Sequence, residues 1–225
     1  MKTPVYIFPE MFNDNNFDIS KIKFSNTPYK KKSFKIKHFI DIYYKNNCII
    51  IQLPIEKLHM IKNDIISLEF VNSNFDEYVI KPLEEHICKT IHRQSEKWFS
   101  KTFTMNKILN SLESPFKKID NGNFILNLSI NKMTSFFNRY KSLMKITDIE
   151  DYFKLHNNNN IDIICLIKLF NLEFFENKFT YNFQLEQAKV FIEEKLIKYS
   201  IIDSIIDYSN YSDCNEIESN YNFST

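Results

Sequence analysis

Residues 160–192 read as two long strands folded back on each other, and no other stretch restricts the architecture so strongly. The first, 161–175, is apolar almost throughout: Ile161, Ile163, Ile164, Cys165, Leu166, Ile167, Leu169 and Phe170. The second opens on strict alternation. Phe179, Tyr181, Phe183 and Leu185 fall on one face, and Thr180, Asn182, Gln184 and Glu186 on the other. Then the phase slips by one, and Ala188, Val190 and Ile192 become the apolar set. A one-residue slip in a period-two pattern predicts a β-bulge, which coils the strand. Long strands, one of them bent, suit a small closed barrel better than a flat sheet. An exposed hairpin arm is the alternative. In the turn 176–178, Asn177 is the expected left-handed residue.

A single glycine, Gly122, stands in 225 residues. That excludes glycine-rich phosphate loops, dinucleotide fingerprints and a nucleophile elbow. The 22 Phe and 12 Tyr exceed what one core of this size needs, so some aromatics are expected at the surface, although AT-rich coding also inflates Phe, Tyr, Ile, Asn and Lys. Net charge is only +1, but its distribution is uneven. All 29 Lys and Arg lie at or before Lys198, and residues 201–225 hold five acids and no base. The body, 1–200, is therefore +6 and the tail −5, a contrast that fits a basic binding domain with a disordered acidic interaction tail. Cys48, Cys88, Cys165 and Cys214 follow no metal-ligand spacing and read as reduced thiols of an intracellular protein. No run is long and apolar enough to span a membrane.

In chain order, residues 1–20 form an irregular N-terminal arm. The most basic segment, 21–37, follows: Lys21, Lys23, Lys30, Lys31, Lys32, Lys35 and Lys37, interleaved with Phe24, Tyr29 and Phe34 and without an acid. Lysines neutralise phosphates and release counterions, while aromatic faces stack on any base, so this pattern suits a single strand of nucleic acid. A solvated basic edge strand is the alternative. Residues 36–44, ending at Tyr44, and 48–53 read as a hairpin, and 65–71 as a third strand. Residues 76–98 form an amphipathic helix on Ile80, Leu83, Ile87, Ile91 and Trp98, with Asn74 and Glu77 as its capping box. Arg93, Lys97, Trp98 and Lys101 cluster at its end. A short second helix, 106–112, precedes Lys117, Lys118 and a strand over 124–130. Arg139, Tyr140 and Lys141 make another basic-aromatic group. The sum is a mostly β (α+β) chain: an OB-like Greek-key β-barrel of about six strands with one inserted helix.

Chemistry for catalysis is missing. Asp148, Glu150 and Asp151 look like an exposed helix start, and the five histidines occur singly. No metal or cofactor is expected, and the chain does not read as an enzyme. Three segments carry a resemblance. The helix ends Ser95-Glu96-Lys97-Trp98-Phe99-Ser100-Lys101, and Ser114-Pro115-Phe116-Lys117 precedes a leucine-rich strand. The hairpin reads Asn171-Leu172-Glu173-Phe174-Phe175, then Lys178-Phe179-Thr180, Phe183 and Gln187-Ala188-Lys189-Val190. Over residues 20–192 this order resembles the single-stranded-DNA-binding proteins of the nucleocytoplasmic large DNA viruses, with the family's hairpin glycines and tryptophans replaced. The resemblance implies an OB fold that coats single-stranded DNA during viral replication in an infected cell. Lys30–Lys37, Arg93, Lys97, Lys101, Lys117, Lys118, Arg139, Lys141 and Lys178 are the expected phosphate contacts. Tyr44, Trp98, Tyr140, Phe174, Phe175 and Tyr181 are the stacking candidates. The tail, with Asp203, Asp207, Asp213, Glu216, Glu218 and Phe223, resembles those that recruit replication partners and compete with DNA. A virion or assembly protein, or an RNA-binding transcription accessory factor, is the alternative.

Overall fold

The computed structural model describes residues 4–8, 11, 17–30, 37–71, 74–155 and 161–192. Seven strands come first: β1 (Val5–Ile7), β2 (Ile22–Phe24), β3 (Tyr29–Lys30), β4 (Lys37–Tyr44), β5 (Ile49–Gln52), β6 (Glu56–Lys62) and β7 (Ile65–Phe70). A π-helical turn, Asp76–Ile80, leads into helix α1 (Lys81–Phe99), followed by α2 (Met105–Ser111). Then come β8 (Phe116–Lys118), β9 (Phe124–Ser129), β10 (Ser135–Phe137), β11 (Leu143–Met144), α3 (Ile146–Leu155), β12 (Asp162–Phe175) and β13 (Lys178–Phe191).

β12 and β13 pair antiparallel from Asp162↔Phe191 to Phe175↔Lys178. Leu166 faces Gln187 but Ile167 faces Leu185, so Glu186 is the extra residue of a bulge, at the predicted phase slip. Before it Phe179, Tyr181, Phe183 and Leu185 are buried, and after it Ala188 and Val190. A second register shift lies between Leu169 and Asn171. The reversal itself differs from expectation: the left-handed residue is Glu176, at φ 57°, not Asn177.

Three short strands share the other edge of β12. β4 pairs with Asn171–Phe175, β5 with Leu166–Leu169 and β6 with Asp162–Ile163. β4 and β5 are therefore not the hairpin that their spacing predicts. Tyr44 and Asn47 do close a tight turn, with Lys45 and Asn46 left-handed, but the two strands then run along a common partner. Pairing continues from β6 to β7, from β7 to β9, and from β9 to β13 by a parallel step at Gln184↔Ser129. The circuit β12–β6–β7–β9–β13 thus closes on itself. Read from β6 round to β12, its members are first, second, third, fifth and fourth in chain order, an OB-like arrangement in a mostly β molecule.

The expected count of six strands is corrected to thirteen among the described residues. Six of these are only two or three residues long, too short for an alternating pattern to show. The seventh omission, β6, loses its alternation at an irregularity between Leu58 and Met60.

Helix α1 buries Leu83, Ile87, Ile91 and Trp98 on one stripe, as the 3.6-residue period requires. Each such side chain contributes about 1.5–3 kcal/mol. Pro82 follows the π turn directly and has no N–H to donate into it. The capping box does not form: the π turn extends the helix back, and the Asn74 carbonyl accepts from the Tyr78 N–H at 2.9 Å. At the far end, Ser100 is left-handed and its N–H donates to the Glu96 carbonyl. The Tyr181 hydroxyl donates to Glu84 Oε1 at 2.8 Å, tying α1 to β13.

Candidate nucleic-acid interface

The hairpin tip, the end of α1 and the start of α2 meet around a cleft of about 350 Å³. Its floor is aromatic. Phe99 lies 4.9 Å from Phe174 and 5.9 Å from Phe103, centroid to centroid, and Phe174 stacks on Phe179 at 5.7 Å. His38 of β4 meets Phe99 edge to face at 6.3 Å. The rim is basic: Lys101, Lys107 and Lys178, with Glu176 as its acid. Lys178 is ion-paired to Glu113, which lies below its usual carboxylate range because Lys178 donates to it. Lys101 and Lys107 have no carboxylate partner among the described residues. Lys107 Nζ sits 5.4 Å from the Phe103 centroid.

The loop carrying Lys101 and Phe103 is fixed from below. Buried Ser95 accepts the Phe103 N–H at 3.3 Å and donates to the His92 carbonyl at 3.1 Å. His92 Nδ1 lies 2.8 Å from the Phe103 carbonyl. The turn after α1 is therefore held by the helix, and its aromatic ring is positioned before any ligand arrives.

Several expected contacts gather here. Phe174 and Phe175 are half-buried at the tip, and Lys37 lies over the Phe175 ring at 5.7 Å while pairing with Glu173. Lys30 pairs in register with His38, beside the cleft. Arg93 lines a second, polar cleft of about 250 Å³ on the other flank of Trp98, with Lys23, His86 and Asn26. Arg93 reaches the Thr90 hydroxyl at 3.4 Å, and Lys97 donates to Asn26 Oδ1 at 3.2 Å. No carboxylate lines that second cleft.

Three stacking candidates are corrected. Tyr181 is fully buried, and burial together with the Glu84 carboxylate pushes its hydroxyl well above its usual pKa. Tyr44 is 4% exposed and packs against Phe17. Trp98 is 8% exposed and wedged between Phe24 and Phe174, at 6.4 and 6.5 Å. Trp98 closes the core at the helix end, so its face is not offered to a base. Arg139, Tyr140 and Lys141 are exposed in the β10–β11 turn. They join the sheet where Phe137 faces Lys189, roughly 35 Å of strand away from Lys178, so they do not converge on the cleft. Lys117 and Lys118 are exposed on β8 and do not line it either. Lys31, Lys32, Lys35 and the tail residues Asp203, Asp207, Asp213, Glu216, Glu218 and Phe223 lie outside the described residues. Phe99, Phe103, Lys107 and His38 were not among the expected contacts. The run Phe99-Ser100-Lys101-Thr102-Phe103 signals the two phenylalanines, once Trp98 is assigned inward.

Fold and cleft together define an OB-like β protein with a preformed aromatic, basic groove. No family model matches the chain, and the resemblance to the large-DNA-virus proteins gains no support from comparison. The chain is 28% identical over 165 residues to "Uncharacterized protein ycf55" of Pyropia yezoensis, covering 73% of this chain. It spans only 42% of that relative's length. Among solved structures it is similar to the single-stranded DNA-binding protein from bacteriophage Enc34, with a TM-score of 0.36 and 11% identity over 83% of this chain and 98% of the other. The C-terminally truncated form gives a TM-score of 0.38 at 10% identity, covering 75% and 96%. The form in complex with ssDNA gives 0.37 at 10%, covering 73% and 94%.

Proposed function

We propose that this protein binds single-stranded DNA without catalysis and without sequence preference, through the cleft at the hairpin tip. The observation that carries this is the half-buried Phe99–Phe103–Phe174 floor beneath Lys101 and Lys107, two cations without acidic partners among the described residues. Stacked bases need aromatic faces, and phosphates need unneutralised cations beside them. Aromatic faces stack on any base, so binding through this floor is sequence-tolerant.

The finer reading is a role in viral or cellular DNA replication, recombination or repair inside the cell, with partner enzymes recruited by the acidic segment. It rests on the sequence: residues 201–225 carry −5 against +6 for the rest. Removing that segment raises the net charge, so a chain ending at residue 200 binds oligonucleotides more tightly than the full chain. Equal affinity of the two contradicts the recruitment-and-competition reading. Competition with a fluorescent 30-mer tests the ligand class. Single-stranded DNA displaces the probe better than duplex of equal length. Preferential displacement by RNA transfers the reading to an RNA-binding factor. Failure to bind any oligonucleotide, with a stable oligomer on size exclusion, transfers it to an assembly protein.

A further inference from the structure

The opposite end of β12 holds a second pocket, roughly 40 Å of strand from the hairpin tip, and its chemistry is the reverse. It encloses about 380 Å³. Three carboxyl side chains line it: Glu56 from β6, Glu69 from β7 and Asp162 from β12. Ile55 and Val71 add exposed aliphatic walls, at 59% and 57%.

Glu56 is the unusual group. It is 8% exposed and lies on the buried face of β6 with Leu58, while Lys57 between them points outward. No hydrogen bond or ion pair reaches its carboxyl among the described residues. Lys57 is engaged elsewhere, with Asp162 at 2.5 Å. Glu69 is occupied by Asn121 at 3.1 Å, Asn123 at 2.7 Å and the His59 ring at 3.6 Å. No side-chain oxygen among the described residues is both sealed from solvent and unpartnered. The Glu56 carboxyl, having no partner, therefore reaches the pocket. A carboxyl that is nine-tenths buried, open only to this pocket and without a protein partner is costly to ionise, and a cation seated beside it offsets that cost.

We propose that this pocket binds an organic cation, a guanidinium or ammonium on an alkyl stem, with Glu56 as the anchoring carboxylate. The stem lies along Ile55 and Val71, and the head enters between Glu56 and Asp162. Burial pushes the Glu56 carboxyl up to about 8, with the Cys165 thiol behind it also pushed up by burial and by Glu56 itself. At neutral pH the resting carboxyl is thus mostly protonated. The cation favours the carboxylate, so binding releases the Glu56 proton to solvent. Affinity rises with pH up to about 8 and then levels off. The other groups facing the site are Lys57, His59, Glu69, Asp162 and Cys165.

Calorimetry on the full chain tests this at pH 7, in phosphate and in Tris, with two probes. Agmatine presents a free guanidinium, and acetyl-leucyl-arginine amide presents an arginine side chain. Binding of either probe with release of close to one proton supports the site. Agmatine alone identifies a small-molecule cation, and the peptide alone identifies a partner protein's side chain. Glu56→Gln preserves the shape of the protonated residue, and circular dichroism checks its fold. It weakens binding at least tenfold and abolishes proton release. Undiminished binding by Glu56→Gln, or no binding of either probe to the natural chain, overturns the proposal. Neither result depends on oligonucleotide binding.

Discussion

Trp98 and Phe103 stand five residues apart and do opposite work. Trp98 is enclosed by Phe24, Phe99 and Phe174, so its removal leaves a cavity. Phe103 has a partly open ring, held by backbone bonds to Ser95 and beside His92. Phe103→Ala therefore lowers oligonucleotide affinity by about 1–3 kcal/mol, roughly 5- to 150-fold, with little loss of thermal stability. Trp98→Ala costs about 3–5 kcal/mol of stability instead. Fluorescence anisotropy and thermal melting of both variants separate these outcomes. A Phe103→Ala variant that binds as tightly as the natural chain removes that ring from the interface. Sequence alone could not sort these aromatics. Tyr181 sits on the alternating apolar face of its strand, which marks it as inward, yet its hydroxyl also fits a surface role. Its long-range partner Glu84, 97 residues away, decides the matter.

At the scale of elements, the long β12–β13 hairpin was legible because a long apolar run and a strictly alternating strand, joined by a short polar turn, outweigh any local ambiguity. The helix was legible for the same reason, since five apolar positions repeat at its period. The strands sharing the far edge of β12 were not. β4 and β5 look like one local hairpin and β6 breaks its alternation, and only β12 shows that all three lie along one partner. The bulge at Glu186 is where the strand changes face without changing direction. Deleting Glu186 forces Ala188 and Val190 outward, or else reverses the buried set before them. That variant unfolds or melts far below the natural chain, whereas Glu186→Ala, which keeps the count, shifts stability by about 1 kcal/mol or less. Equal melting of the deletion variant and the natural chain would show that the bulge does not set the register.

Across the whole described body, the two ends of the hairpin differ in charge. The turn end gathers lysines from the α1–α2 loop, α2 and the hairpin over an aromatic floor, while the other end gathers carboxylates. Neither cluster is contiguous in sequence, and so the overall charge of +1 hides both. The sequence pattern offered the hairpin aromatics, Lys101 and Trp98 among its candidates, whereas the proposed cleft is built around Phe99 and Phe103, with Phe174 and Lys101 beside them. The central claim is that unpaired lysines on that rim neutralise phosphates. Its most direct test is the salt dependence of affinity for oligo-dT, for the natural chain and for Lys101→Ala/Lys107→Ala. The natural chain is expected to bind with affinity that falls steeply with salt, and the double variant to show a log–log slope shallower by about 1.4, since each phosphate contact on a single strand contributes about 0.7. Binding that is absent, or whose slope is the same in both proteins, would contradict the account.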